Sequence, residues 1–146
     1  MHLLHRHGLR CEILTSGFHK FFHQTIFIAA MATAHATDED IKKITALCDD
    51  VENLLDNGED HTMKDIEFHT AIAMSSKNLV VPRLIPVVNS SIPLFVETTG
   101  NRLHNETIES HREIAQAIAA HDPLRAQDAM YLYLVYNRKV ISTSTI

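Results

Sequence analysis

The chain has no tryptophan, two cysteines, four glycines and four prolines in 146 residues. Each shortage excludes something. Cys11 and Cys48 stand far apart and match neither a disulfide framework nor a thiolate zinc motif, so a reducing compartment is expected. With Gly and Pro this scarce, 45% of residues hydrophobic and 21% charged, a disordered, collagen-like or low-complexity chain is ruled out. Basic residues are in short supply too. A formal net charge of −5 argues against a nucleic-acid module, because phosphate binding needs a concentrated excess of Lys and Arg. Long apolar runs are absent: the longest, residues 26–32, is broken by Thr33 and His35, far short of the roughly 18–20 residues that cross a bilayer. No membrane partner is expected. The opening MHLLHRHGLR is basic but lacks a following apolar core and a small-residue cleavage site, so a secretory signal is a poor match and a cytoplasmic protein is expected. The length suits one domain able to bury roughly two-thirds of its unfolded surface. What is plentiful is histidine, with eleven residues.

Apolar residues recur at three and four along most of the chain, which makes helix the default. The clearest start is Thr37-Asp38-Glu39-Asp40, where Thr37 can cap and Asp40 can reach back as the third residue of a capping box. Ile41, Ile44, Leu47, Cys48, Val51, Leu54 and Leu55 then form one stripe until Asn57-Gly58 stops it. A second helix is predicted over 62–76, through Met63, Ile66, Phe68, Ile72 and Ala73, with a left-handed stop at Lys77-Asn78. Pro82, Pro86 and Pro93 punctuate the next apolar segment and predict a kinked or broken helix there. Thr98-Thr99-Gly100-Asn101 reads as a loop, residues 107–120 as a helix, and His121-Asp122-Pro123 as its end, with Asp122 capping and Pro123 opening a last helix toward Val140. The first 25 residues carry a candidate helical face, Phe18, Phe21, Phe22 and Ile26, without caps. The reading is all-α, an antiparallel bundle with short loops.

On the second helix Asp65 and His69 are four apart and so project from one face, about one turn from each other. A carboxylate oxygen and an imidazole nitrogen in that relation suit Zn, Ni, Mn or Fe better than calcium. The plain alternative is a solvated helix pair. Phe68 and Ile72 beside it place the pair at the edge of the core, where unpaired charge is costly and an ion would relieve the cost. His111, with Ile114, Ala117 and Ile118 following, falls on or near a core-facing stripe; a hydrogen-bonded core histidine is its plain alternative. His2, His5, His7, His19 and His23 cluster in the N-terminal part, while His35, His61, His104 and His121 fall at helix ends or loops, where capping or exposure explains them. There is no Gly-x-Ser-x-Gly elbow, phosphate-binding glycine loop or His-Glu-x-x-His, and Asp49, Asp50, Glu59 and Asp60 read as solvated acids. No catalytic constellation is found, and the chain is not expected to be an enzyme.

Four ordered motifs carry a resemblance: Ala36-Thr37-Asp38-Glu39-Asp40-Ile41, then Asp65-x-x-Phe68-His69-x-x-Ile72-Ala73 ending at Asn78, then His111-x-x-Ile114-x-x-Ala117-Ile118 with Asp122, then Ala126-x-x-Ala129-Met130-x-x-x-Leu134. Over about residues 28–140 the chain resembles the FCD domain, the C-terminal effector-binding domain of the FadR branch of GntR-type transcription regulators. The resemblance implies a bundle of six or seven helices that pairs as a homodimer and holds a small carboxylate effector, often through a divalent metal, Zn or Ni foremost. It implies Asp65, His69 and His111 as metal ligands. The position of the fourth ligand, a His in the family, is Tyr133 here; a phenol is a poor ligand unless deprotonated, so weaker metal affinity is expected, or a shell completed by water or the effector, and the alternative is that Tyr133 hydrogen-bonds the effector carboxylate directly at a metal-free site. Arg83 and Asn89, on the proline-broken segment, are candidate effector contacts, with surface exposure the plain alternative for Arg83. Phe21 and Thr25 stand where the family has an Arg and a Glu, so effector specificity does not carry over. The resemblance divides the chain into an atypical, partly helical segment over 1–27 and a ligand-binding domain over 28–146. The family's winged helix-turn-helix has no counterpart in so short a leading segment, and the chain alone is not expected to bind DNA. The competing readings are a metal-dependent hydrolase using the same cluster and a purely structural bundle.

Overall fold

The computed structural model describes residues 23–100 and 102–143, and among them there is helix and turn but no strand. Helix α1 covers residues 23–35. It is followed by α2 (Asp38–Asp56), α3 (Thr62–Ser75), a short 3-10 turn (Val81–Arg83), α4 (Ile85–Thr99), α5 (His104–Ala119) and α6 (Pro123–Thr143). None of these is long and apolar enough to cross a membrane.

The ends of α2 form as the residues dictate. Thr37 Oγ1 accepts the Asp40 N–H at 3.1 Å and Asp40 Oδ2 accepts the Thr37 N–H at 2.9 Å, closing the capping box. At the other end Gly58 takes φ +68°, and the N–H groups of Gly58 and Glu59 return to the carbonyls of Leu55 and Leu54. The same turn-back closes α5, except that a histidine holds the left-handed position. His121 has φ +53°, its N–H bonds Ile118 and the Asp122 N–H bonds Ala117. The His121 ring is spent on another helix: Nδ1 lies 2.9 Å from the Thr33 carbonyl, one of those left over at the end of α1. Asp122 then caps α6 by accepting the Arg125 N–H at 3.1 Å.

Two expectations need correction. Thr98 and Thr99 are the last turn of α4 and no loop; Thr99 is buried and its hydroxyl donates to the Phe95 carbonyl at 2.7 Å, so a residue read as loop-forming is satisfied inside the helix. Helix α5 also starts at His104, three residues before the predicted Thr107, with no side-chain cap to announce it. The proline segment does break: Pro82 sits in the 3-10 turn, Pro86 in the first turn of α4 where its missing N–H is not needed, and only Pro93 lies in the helix interior.

Packing runs in a closed circuit, α2 against α3, α3 against α4, α4 against α6, α6 against α5, and α5 back against α2. Its interior is filled by Ile44, Phe68, Ile72, Ile92, Ile114, Ile118, Met130 and Leu134, and α1 adds Ile28, Ala29 and Ala32 to the same core. Ion pairs between neighbouring helices, Arg112 with Glu52 and Arg125 with Glu113, lie on the surface, where each contributes little.

Candidate metal centre

Three helices of this circuit each turn polar side chains inward. Asp65 and His69 come from α3, His111 from α5 and Tyr133 from α6, and all four are buried. Exposure falls to 2% for Asp65, 3% for His69 and 1% for His111. Asp65 stands in the first turn of α3, where the helix's positive end favours its charge.

One oxygen of Asp65 is the meeting point. Oδ1 lies 3.2 Å from His69 Nε2 and 3.4 Å from His111 Nε2. The ligating atoms of the three residues all fall within 4.8 Å of one another. Distances of this size are short, yet the groups are not aligned on each other. Asp65 Oδ1, His69 Nε2 and both ring nitrogens of His111 have no hydrogen-bond partner. Unpaired buried polar atoms cost about 1–3 kcal/mol each, large against a folding stability of roughly 5–15 kcal/mol. Bonds of about 2.1 Å to one ion would place ligand atoms about 3.0–3.4 Å apart, the range of the two distances to Asp65 Oδ1.

The protonation states agree with that use. Burial pushes the Asp65 carboxyl up, but its interactions with His111, His69 and His61 outweigh burial and hold the group below its ordinary value. Burial lowers His111 to about 4, against the pull of Asp65 and with help from His69 and His61. It is therefore neutral at pH 7, with a lone pair to offer and no proton to shed first. Tyr133 is pushed well above its ordinary value by burial and then by the Asp65 charge. It stays a phenol, a donor rather than a ligand. Its ring lies 5.5 Å from that of His69 and 5.3 Å from that of His111, while Phe68 packs at 4.5 Å on His111 and fixes the plane of the imidazole. One carboxylate and two imidazoles fit a first-row divalent ion such as Zn or Ni.

The other candidates lie elsewhere. Asn89 accepts a hydrogen bond from Thr70 Oγ1 at 3.1 Å and so ties α4 to α3. Arg83 is exposed on the 3-10 turn. His35 is exposed, and His104 pairs with Asp56 at 3.0 Å. His2, His5, His7, His19, Phe18, Phe21 and Phe22 fall outside the described residues. One residue set aside in sequence comes to the cluster: His61, whose Nε2 is 4.0 Å from Asp65 Oδ2. Its signal was present, since His61, Asp65 and His69 repeat the same spacing of four.

Beside the cluster lies a cavity of about 10 Å³, bordered by His61, Asp65, Thr99, Thr107, Tyr133 and Asn137. That is room for about one water.

Comparison with known proteins points one way. The profile of the FCD domain matches residues 22–135. The chain is 30% identical over 116 residues to YcbG of Bacillus subtilis (strain 168), described as an uncharacterized HTH-type transcriptional regulator, covering 78% of this chain and 48% of that protein. Among solved structures it superposes on Streptococcus agalactiae GntR with a TM-score of 0.76 at 28% identity, over 88% of this chain and 59% of that one. The chain thus spans about half the length of the regulators it matches. A helical circuit that turns an Asp and two His onto one buried point, and a profile covering most of that circuit, have a single explanation: the chain belongs to the FCD domain family of GntR-type transcription regulators.

Proposed function

We propose that this chain is the ligand-sensing domain of such a regulator, that Asp65, His69 and His111 hold a divalent metal, Zn or Ni, and that the effector is a small organic acid. One observation carries the reading. The buried donor atoms of these three residues face one another unpaired, a state that binding of a cation relieves. A bound divalent ion supplies a positive charge that draws an effector carboxylate into an otherwise apolar core. The chain's own residues do the rest. Asp65 balances the charge, His69 and His111 present ring nitrogens, and the Tyr133 hydroxyl donates to a carboxylate oxygen.

The cavity is too small for an organic acid, so occupancy has to move its walls, which belong to α2, α3, α4, α5 and α6. An effector that binds the widened arrangement better than the closed one shifts the population between them. In a homodimer that shift reaches the partner, and so alters how the assembly meets DNA; with its net charge of −5 this chain alone is expected to bind no operator. Asn89, on the α3–α4 contact, stands where such a shift is felt, and Arg83 is too exposed to take part in the buried contact.

Metal analysis of the purified protein, paired with thermal unfolding in added Zn or Ni, tests the reading with His111→Ala as control. Wild type should carry metal and gain about 2.7 kcal/mol of stability at a hundredfold excess over its dissociation constant. The variant should lose both. Equal metal content and equal response in the two proteins means that the centre does not exist.

A further inference from the structure

The second oxygen of Asp65 is where the structure says more. Oδ1 is the oxygen nearest His69 and His111, whereas Oδ2 is the one nearest His61, at 4.0 Å. His61 is placed by the start of α3, yet its ring does nothing for that helix. It occupies the capping position without a side-chain cap bond, and the Thr62 N–H is taken at 3.0 Å by Asp60 Oδ1. A histidine with no local duty would be expected to turn to water. This one is buried, its side chain 11% exposed, with Nε2 directed at the carboxylate. A gap of 4.0 Å is too long for a direct hydrogen bond and suits one bridging water. The cavity of about 10 Å³ has that room, and His61, Asp65, Tyr133 and Asn137 on its wall give a water the two to four polar partners it needs.

Resting on the metal-centre reading above, we propose that His61 is a positioning residue of the centre. Through one water in the cavity it holds Asp65 Oδ2, so that Oδ1 stays turned toward His69 and His111. This chain carries Tyr133 where a further imidazole is expected, and a carboxylate with few partners would otherwise be free to rotate. Groups that orient a ligating carboxylate from outside typically change metal affinity by about 10–100-fold when removed.

The experiment is a competition titration of Zn²⁺ against a chromophoric chelator, run on the full chain as wild type, His61→Ala, His61→Gln and Asp65→Ala, with apo-protein melting and the Co²⁺ absorption spectrum recorded for each. His61→Ala should weaken Zn²⁺ binding at least tenfold and shift the Co²⁺ bands, while the apo protein melts as wild type does. His61→Gln, which keeps a donor near the position of Nε2, should recover part of the loss. Wild-type affinity in His61→Ala, with binding lost in Asp65→Ala, overturns the role of His61 and leaves the centre standing. Absence of Zn²⁺ binding in wild type overturns both.

Discussion

His111 shows how far burial alone can set a side chain's behaviour. Its imidazole sits at about 4 rather than the ordinary 6.5, first because it is out of water. The unfolded chain therefore takes up a proton near pH 6.5 that the folded chain refuses until about pH 4. Stability from this residue is fully present above pH 6.5 and is lost as the pH falls toward 4. At one to two pH units below the unfolded value, that loss is of the order of 1–3 kcal/mol. Urea denaturation of metal-free protein at pH 7, 6 and 5 should show the midpoint dropping across this window, and His111→Phe should flatten the drop. A midpoint that holds constant in wild type would mean that His111 is hydrated in solution. The same scale shows what a sequence can and cannot display. The spacing of Asp65 and His69 is visible because both lie on one helix, one turn apart. Their meeting with His111, 42 positions after His69 in the numbering, depends on α3 and α5 facing one interior, which no local pattern states. His61 obeys the same spacing of four, but it precedes the helix, where capping or exposure already accounts for a histidine.

Among the elements, those with side-chain caps were legible to the residue. Helix α2 runs between Thr37 and Asn57 as its capping box and Gly58 require. At Leu103 before α5 no side-chain cap is present and the predicted start falls three residues late, while Thr98 and Thr99 read as loop because the bond from Thr99 to Phe95 leaves no mark in the sequence. The corner between α5 and α6 offers a quantitative check. His121 bears the strain of a left-handed backbone, of the order of 1 kcal/mol for a residue with a Cβ, and offsets it with the bond to Thr33. His121→Ala keeps the strain and loses the bond, so it should destabilise by about 1 kcal/mol. His121→Gly loses the bond but relieves the strain, and should unfold close to wild type in the same denaturant. Equal midpoints for the two variants would show that the corner is not strained.

At the scale of the whole molecule, five helices close a circuit around a polar centre, and each helix has two neighbours in that circuit. A change at the centre is therefore not absorbed by one loop. The cavity there has room for about one water, and this has a consequence in time. If the closed bundle admits no organic acid, a ligand has to wait for an opening it does not itself cause. In stopped-flow mixing the observed rate should then rise with ligand concentration only until it reaches the opening rate, and level off there, whereas a ready-made pocket would give a rate that climbs in proportion. The apparent affinity is reduced by the fraction of molecules open at any instant. Substitutions that enlarge the cavity, such as Thr107→Ala on its wall, should raise the plateau. The small space beside the centre would then act as the protein's clock.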